Sequence, residues 1–218
     1  MNATSLDLDL DLARLKDLTE RYARYSRGAG GLSLVIGGVL LTASFFASAY
    51  LELSLALRVL LVAFPAIWLL SKELLRRFYY QRGGAVLQQV SPALRRKRWW
   101  MSLYLFLVCG FIAAMVLTVS VVVLLEDGSL PPPELVAYIA LIVATPFAAR
   151  RWFWSTGDFL VGTLLFTQAA LVAGGVSHTG PWWVLYATGC AVFAIGTGVV
   201  EHRAYLKIRA SLDGRGQS

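Results

Sequence analysis

The residues best placed to do chemistry in this sequence are polar side chains inside long apolar runs. Thr167 and Gln168 lie deepest, within the run from Phe153 to Gly174. An amide and a hydroxyl at such a depth can bind a substrate, or they can bridge two helices by hydrogen bonding, which is the commoner use. Neither side chain is a general acid, a general base or an activated nucleophile, so the pair predicts binding or helix packing.

The ionisable residues near the ends of the apolar runs form no catalytic pattern. Arg58, Asp158 and Glu201 each lie about one or two turns from the end of a run, where a side chain reaches the interface or a partner. We expect Asp158 to pair with the arginines at 150–151. Ionisable residues deeper in the runs are scarce, which argues against proton coupling. A lipid-modifying enzyme using Asp158, Glu201 or His202 is the weakest alternative.

Histidine and cysteine spacing predicts no metal site and no disulfide. His178 and His202 have no second ligand at metal-binding spacing. Cys109 and Cys190 each lie in the middle of an apolar run, where a thiol packs as a small apolar group. The sequence also contains no GxSxG, P-loop, HExxH or GxGxxG motif. We therefore predict no catalytic residue, no cofactor and no enzymatic activity.

Composition and hydropathy predict that these residues lie on membrane-spanning helices. Hydrophobic residues make up 57% of the 218 residues and charged residues 15%, with a mean hydropathy of +0.63. A span needs roughly 20 apolar residues to cross roughly 30 Å of hydrocarbon, and helix satisfies its backbone internally. The predicted spans are about Gly30 to Leu51, Leu53 to Leu70, Trp100 to Leu125, Glu134 to Ala149, Phe153 to Gly174 and Pro181 to Val200.

Charge placement predicts the orientation of these spans. Of the 20 Lys and Arg residues, all but Arg58 fall in segments on one side of the six spans. The connections on the other side carry no Lys or Arg, and their acidic residues are Glu52, Glu126, Asp127 and Glu134. Basic residues accumulate in the cytoplasm, so we predict an inner-membrane, multi-pass protein with both termini cytoplasmic. The net charge of +7 then reports topology, and no nucleic-acid partner is predicted.

We therefore predict an all-α membrane protein of six transmembrane helices arranged as three hairpins. Residues 1–28 are a cytoplasmic amphipathic segment, 29–200 the transmembrane domain with a helical inner loop at 72–99, and 201–218 a basic cytoplasmic tail. In the first segment, a helix capped by Asp11 carries one apolar stripe. The stripe consists of Leu12, Leu15, Leu18, Tyr22 and Tyr25. We interpret it as a docking surface for a cytoplasmic protein.

The inner loop ends in a basic and aromatic run before the third span. This run consists of Arg95, Arg96, Lys97, Arg98, Trp99 and Trp100. Basic side chains attract anionic lipid headgroups, and tryptophan prefers the interface, so this run predicts contact with the bilayer surface. Together with the leading helix, the loop would form the cytoplasmic docking surface.

Prolines and small residues predict how the helices bend and pack. Pro65 and Pro146 each remove a hydrogen bond within a span, which predicts a kink. Small residues, which allow close helix approach, recur in the first and sixth spans: Ser33, Gly37, Cys190, Ala194 and Gly198. They predict packing within the chain, with a homodimer seam as the alternative.

Two functions from different classes follow from this topology. The first is a membrane anchor, scaffold or regulator that docks a cytoplasmic partner. The second rests on a resemblance: six spans after an amphipathic helix resemble, in topology alone, the membrane subunits of export-type ABC transporters. That resemblance implies a permease subunit energised by a separate ATPase, with Thr167 and Gln168 near its pathway. The connection at 175–180 is too short for the re-entrant elements of such permeases, so no family is assigned.

Overall fold

The computed structural model describes residues 17–20, 22, 31–80, 92–128, 132–175 and 180–213, and these residues contain no β-strand. Six helices among them are long and apolar enough to cross a membrane. In chain order they are α1 (Leu32–Tyr50), α2 (Leu55–Leu75), α3 (Pro92–Asp127), α4 (Pro133–Trp152), α5 (Thr156–Ala173) and α6 (Pro181–Asp213). A π-helical turn, Arg76–Tyr80, continues α2. Residues 17–20 and 22 are also helical.

Local sequence sets where the helices begin. Ser155 and Asp158 form a capping box at the start of α5: the Ser155 hydroxyl accepts from the Asp158 amide, and the Asp158 carboxylate accepts from the Ser155 amide. Proline begins α4 at Pro133, where a missing N–H costs nothing. Ser54 caps α2 by accepting a hydrogen bond from the amide of Leu57.

The six predicted spans are confirmed as helices, and several helices are longer than predicted. The fourth helix was predicted to end at Ala149 but continues to Trp152, because arginines in a last turn favour the helix carboxyl end instead of breaking it. At 20 residues, α4 is about 30 Å long, which matches the hydrocarbon thickness. The sixth helix likewise runs beyond Val200 to Asp213, into the predicted basic tail.

Helix α5 lies at the centre of the bundle and α3 at its edge. Of the residues in the apolar stretch of α5, 61% are buried inside the structure, whereas only 11% of those in the apolar stretch of α3 are buried. Helix α5 packs against α1, α2 and α4, and α3 packs mainly against α4. Helix α6 packs mainly against α1 and has few contacts with α5, although α5 and α6 are consecutive in sequence. A gap therefore remains between α5 and α6.

Small residues form the seam between α1 and α6. A Cβ on Gly31 would overlap the carbonyl oxygen of Gly198, and a Cβ on Gly38 would lie 2.8 Å from the Ile195 side chain. Ala194, one turn before Gly198, is buried beside this contact. Of the predicted small residues, Ala194 and Gly198 of α6 thus serve packing within the chain at this seam, whereas their partners Gly31 and Gly38 are not among those predicted.

The other predicted packing residues lie in the core. Gly37 faces Trp68, whose Nε1 donates to the Ser33 carbonyl at 2.8 Å. Cys190 is half-buried against the main core. Pro65 and Pro146 are buried inside α2 and α4, and both helices continue through them.

Candidate functional site

Contacts bring the basic segments of the chain together at one end of the bundle. The guanidinium of Arg98, near the start of α3, lies over the ring of Trp154, just beyond α4, and donates to the carbonyl of Arg150 in the last turn of α4. The end of α2 meets the carboxyl half of α6 through the contact between Tyr80 and Tyr205. We call this end, which holds the ends of α2, α4 and α6 and the starts of α1, α3 and α5, the basic end.

A buried ion pair lies just inside the basic end. Lys72 Nζ of α2 lies 2.6 Å from Asp158 Oδ2 of α5, and both side chains are at most 4% exposed. Lys72 Nζ also donates to the Trp152 carbonyl at 2.7 Å. The same Asp158 oxygen accepts from the amides of Trp154 and Ser155 at 2.9 and 3.0 Å. The pair therefore joins α2, the end of α4 and the start of α5.

The sequence predicts that Asp158 pairs with the arginines at 150–151, but in the structure its partner is Lys72. The prediction was wrong because the capping box turns the Asp158 carboxylate back toward the chain preceding α5, where Lys72 of α2 meets it. Helix packing, and not proximity in sequence, selects the partner. Both charged side chains are buried, whereas the sequence analysis placed Lys72 in the inner loop and Asp158 near the end of an apolar run.

Aromatic rings cover the ion pair. Lys72 Nζ lies 5.4 Å from the centroid of the Trp68 ring, and the Trp68 and Phe153 rings are 5.6 Å apart. Phe153 is fully buried and lies where a Cβ on Gly162 would have to be, so this glycine admits the ring. The rings keep solvent away from the pair. An electrostatic interaction is stronger in this less polar surrounding than at the protein surface.

A tyrosine cluster attaches the leading segment to the basic end. We define it as Tyr22, Tyr79, Tyr80, His202 and Tyr205. Tyr22 stacks on Tyr205 at 5.7 Å, and Tyr80 meets Tyr205 edge to face at 4.7 Å. The Tyr80 hydroxyl lies 3.1 Å from His202 Nδ1. Since Tyr22, Tyr80 and Tyr205 are all buried, the leading helix is fixed to α2 and α6.

Of the predicted docking stripe, the structure describes only Leu18 and Tyr22; Leu12, Leu15 and Tyr25 lie outside the described residues. Leu18 is half-buried, and Tyr22 is buried by the chain itself. The stripe thus has at least one residue that packs on its own bundle.

The predicted headgroup residues occupy the first turns of α3. Arg95, Arg96 and Lys97 are exposed, and so are Trp99 and Trp100, whose rings lie 5.1 Å apart. Arg98 differs from them because its side chain is engaged by Trp154 and Arg150 of the same chain.

A groove lies between α1, α5 and α6 toward the opposite end of the bundle. It has a volume of about 530 Å³ and includes Thr167 and Gln168 in its wall. The rest of the wall is apolar or aromatic: Phe45, Leu164, Leu171, Trp182, Trp183 and Tyr186. Its position follows from the gap left between α5 and α6, and its volume is within the range of small-molecule sites.

Gln168 bridges two helices and still has an unpaired atom. Its Nε2 donates to Ser48 Oγ of α1 at 3.0 Å, and the Ser48 hydroxyl donates in turn to the Phe45 carbonyl at 3.0 Å. Because the Ser48 proton is used in that bond, Ser48 can only accept from Gln168, which fixes the orientation of the amide. Gln168 is 2% exposed, and its Oε1 has no hydrogen-bond partner among the described residues.

Within the described parts of the chain, no three His, Cys, Asp or Glu residues come together as metal ligands. Both cysteines are free thiols, with Cys109 buried. Neither observation points to a particular chemical reaction.

Comparison of the chain with protein-family models, with curated proteins and with solved structures finds no significant match. The structure itself defines the class. The chain is an all-helical protein with six apolar helices of spanning length, and hence a multi-pass membrane protein.

Proposed function

We propose that this chain is a non-enzymatic protein of the inner membrane, with both termini in the cytoplasm, that docks a cytoplasmic protein at its basic end. It would act as a membrane anchor, scaffold or regulator. The observation that carries this proposal is the tyrosine cluster, which fixes the leading helix against α2 and α6. A surface that is already ordered loses less conformational entropy when a partner binds.

The surroundings of the cluster support a partner-binding surface. Helix α6 continues through exposed basic residues, including Arg203 and Lys207, to Asp213. Phe78 of the π-helical turn is 63% exposed and Leu206 of α6 is 42% exposed. Exposed apolar side chains bordered by charge are typical of an interaction site. Tyr22 is buried, so in this proposal it holds the leading helix in place and the partner contacts its neighbours.

Co-purification with matched variants tests the docking proposal. The full chain is compared, in mild detergent, with a chain lacking residues 1–27, with Tyr22→Ala and with Tyr50→Ala. Tyr50 is 67% exposed and lies at the end of α1 opposite the basic end, so it controls for loss of a tyrosine. We expect one cytoplasmic protein to be retained by the full chain and by Tyr50→Ala, and to be lost from the other two. Equal recovery with all four chains would contradict the proposal.

The orientation is tested separately by reporter fusions. A reporter that is active only in the cytoplasm should give signal at the carboxyl terminus and none after Glu126, since basic segments stay inside. The opposite pattern would reverse the topology and move the docking surface outside the cell.

The groove favours a second candidate function, a permease subunit energised by a separate ATPase. Thr167 and Gln168, the predicted pathway residues, both line it. The same co-purification separates the two functions, because a retained ATPase would support the permease and a retained regulator or enzyme would support the scaffold.

A further inference from the structure

We propose that the groove between α1, α5 and α6 is a binding site for an uncharged amphiphile of the membrane, whose hydroxyl or amide N–H donates a hydrogen bond to Gln168 Oε1. This inference goes beyond the docking function and does not depend on it. It rests on two observations: Gln168 lines a ligand-sized groove, and its buried Oε1 has no hydrogen-bond partner among the described residues.

The acceptor defines the polar part of the ligand. A buried amide oxygen without a donor costs free energy, and most such groups in proteins have a partner. The bond from Gln168 to Ser48 fixes the amide with Oε1 as the atom left unpaired. A ligand hydroxyl or N–H would supply the missing donor.

The wall defines the rest of the ligand. None of the eight lining residues is charged, and Phe45, Leu164 and Leu171 present hydrocarbon surface. A charged headgroup would therefore be left without a counter-ion, which is costly inside a bilayer. Trp182, Trp183 and Tyr186 line the groove from the first turns of α6. A chain with an uncharged hydrogen-bond donor fits this wall.

The groove is also placed where a membrane lipid can enter. Gln168 lies five residues before the end of α5 at Ala173, so it lies roughly 8 Å below that end of the helix. Trp182 at the groove margin is 79% exposed, as expected for a tryptophan at an interface. An amphiphile in the leaflet at this end would thus bring its polar group to the depth of Gln168.

Photolabelling in lipid nanodiscs tests this site. The probe is 1-decanol carrying a photoreactive diazirine, and its control is the methyl ether of the same molecule, which lacks the donor. Labelling is mapped to residues 164–171 and 182–186. It is normalised to residues 111–125 of α3, where exposed apolar side chains such as Phe111 and Leu125 report general membrane contact.

We expect the alcohol to label the groove about three- to tenfold more than the ether, the preference that one hydrogen bond provides. Gln168→Met keeps the length of the side chain and removes the acceptor, so the preference should disappear. Ser48→Ala keeps the acceptor but frees the amide that Ser48 orients, so the preference should weaken without disappearing. The α3 labelling should be unchanged in both variants.

Three results would overturn the proposal. Equal groove labelling by the alcohol and the ether in the unsubstituted protein would mean that no donor is recognised, as when water satisfies Oε1. A preference that persists in Gln168→Met would exclude this acceptor. Groove labelling no higher than that of α3, together with light-induced crosslinks between two chains, would mean that a second copy fills the groove.

Discussion

At the basic end, the charged groups of Lys72 and Asp158 meet at 2.6 Å, with the Asp158 carboxylate also accepting two backbone amides. Toward the opposite end, Gln168 lines a groove and donates an N–H to Ser48, and its buried Oε1 has no partner among the described residues. Asp158 and Gln168 both belong to α5, the most buried helix. Asp158 Oδ1, like Gln168 Oε1, is buried without a partner among the described residues, so the two ends of α5 differ in their packing and in the open space beside the polar group.

This difference suggests a division of roles along the bundle. The basic end has the features of a fixed junction, because three helices converge on the ion pair and the tyrosine cluster adds the leading segment. Toward the opposite end, a space of ligand size lies between α5 and α6, two helices that contact each other little along their length. Stability and binding capacity would then be located in different parts of the same helices.

The largest expected effect comes from breaking the buried ion pair. Lys72→Met leaves the Asp158 charge unpaired, so we expect the free energy of unfolding to fall by about 3–5 kcal/mol. The double variant Lys72→Met with Asp158→Asn should recover most of this loss, because both charges are removed together. Denaturant titration in detergent micelles measures the change.

The partly exposed cluster of Glu73, Arg76 and Arg77, whose side chains are 28%, 35% and 68% exposed, provides the control for the ion pair. Glu73→Gln breaks the contacts of Glu73 with both arginines at the surface of α2. We expect a loss below about 1 kcal/mol, since exposed pairs contribute little. A loss as large as that of Lys72→Met would mean that burial is not what gives the Lys72 pair its importance.

An intermediate effect is expected at the seam between α1 and α6. Gly198→Ala places a Cβ against the carbonyl oxygen of Gly31, so we expect about 1–3 kcal/mol of destabilisation from overpacking. Gly196→Ala is the matched control, because a Cβ there meets nothing within 4 Å. That variant should be neutral or slightly stabilising in the same titration. Equal losses for the two variants would argue against this seam.

The smallest effect is expected at the bridge between α1 and α5. Ser48→Ala removes one interhelical hydrogen bond, and such bonds in membrane proteins contribute about 0.6 kcal/mol on average. Gln168→Met should change stability by a similarly small amount, since it also removes an unpaired buried oxygen. A loss above about 3 kcal/mol for either variant would place a structural junction at this end as well and remove the contrast between the two ends.

The sequence predicts the six spans because length and hydropathy are local properties, and it predicts that small residues in α1 and α6 allow close packing. It does not predict the Lys72–Asp158 pair, because that contact joins residues far apart in the chain and depends on the direction in which a capping box turns a carboxylate. Similarly, the apolar stripe is interpreted from the sequence as a docking surface for another protein, and only the structure shows that Tyr22 of this stripe packs against Tyr80 and Tyr205 of the same chain. The groove is hidden for the same reason: it arises from a weak contact between consecutive helices.

Accessibility of single thiols tests the contrast between the two ends. In a background with Cys109→Ala and Cys190→Ala, single cysteines are introduced by Thr167→Cys in the groove and by Ser33→Cys, a fully buried position near the basic end. A small uncharged reagent, methyl methanethiosulfonate, is then applied to each variant in lipid nanodiscs. We predict that the Thr167 variant reacts and that the Ser33 variant does not. Protection of the Thr167 variant, or reaction of the Ser33 variant, would contradict an open groove opposite a closed basic end.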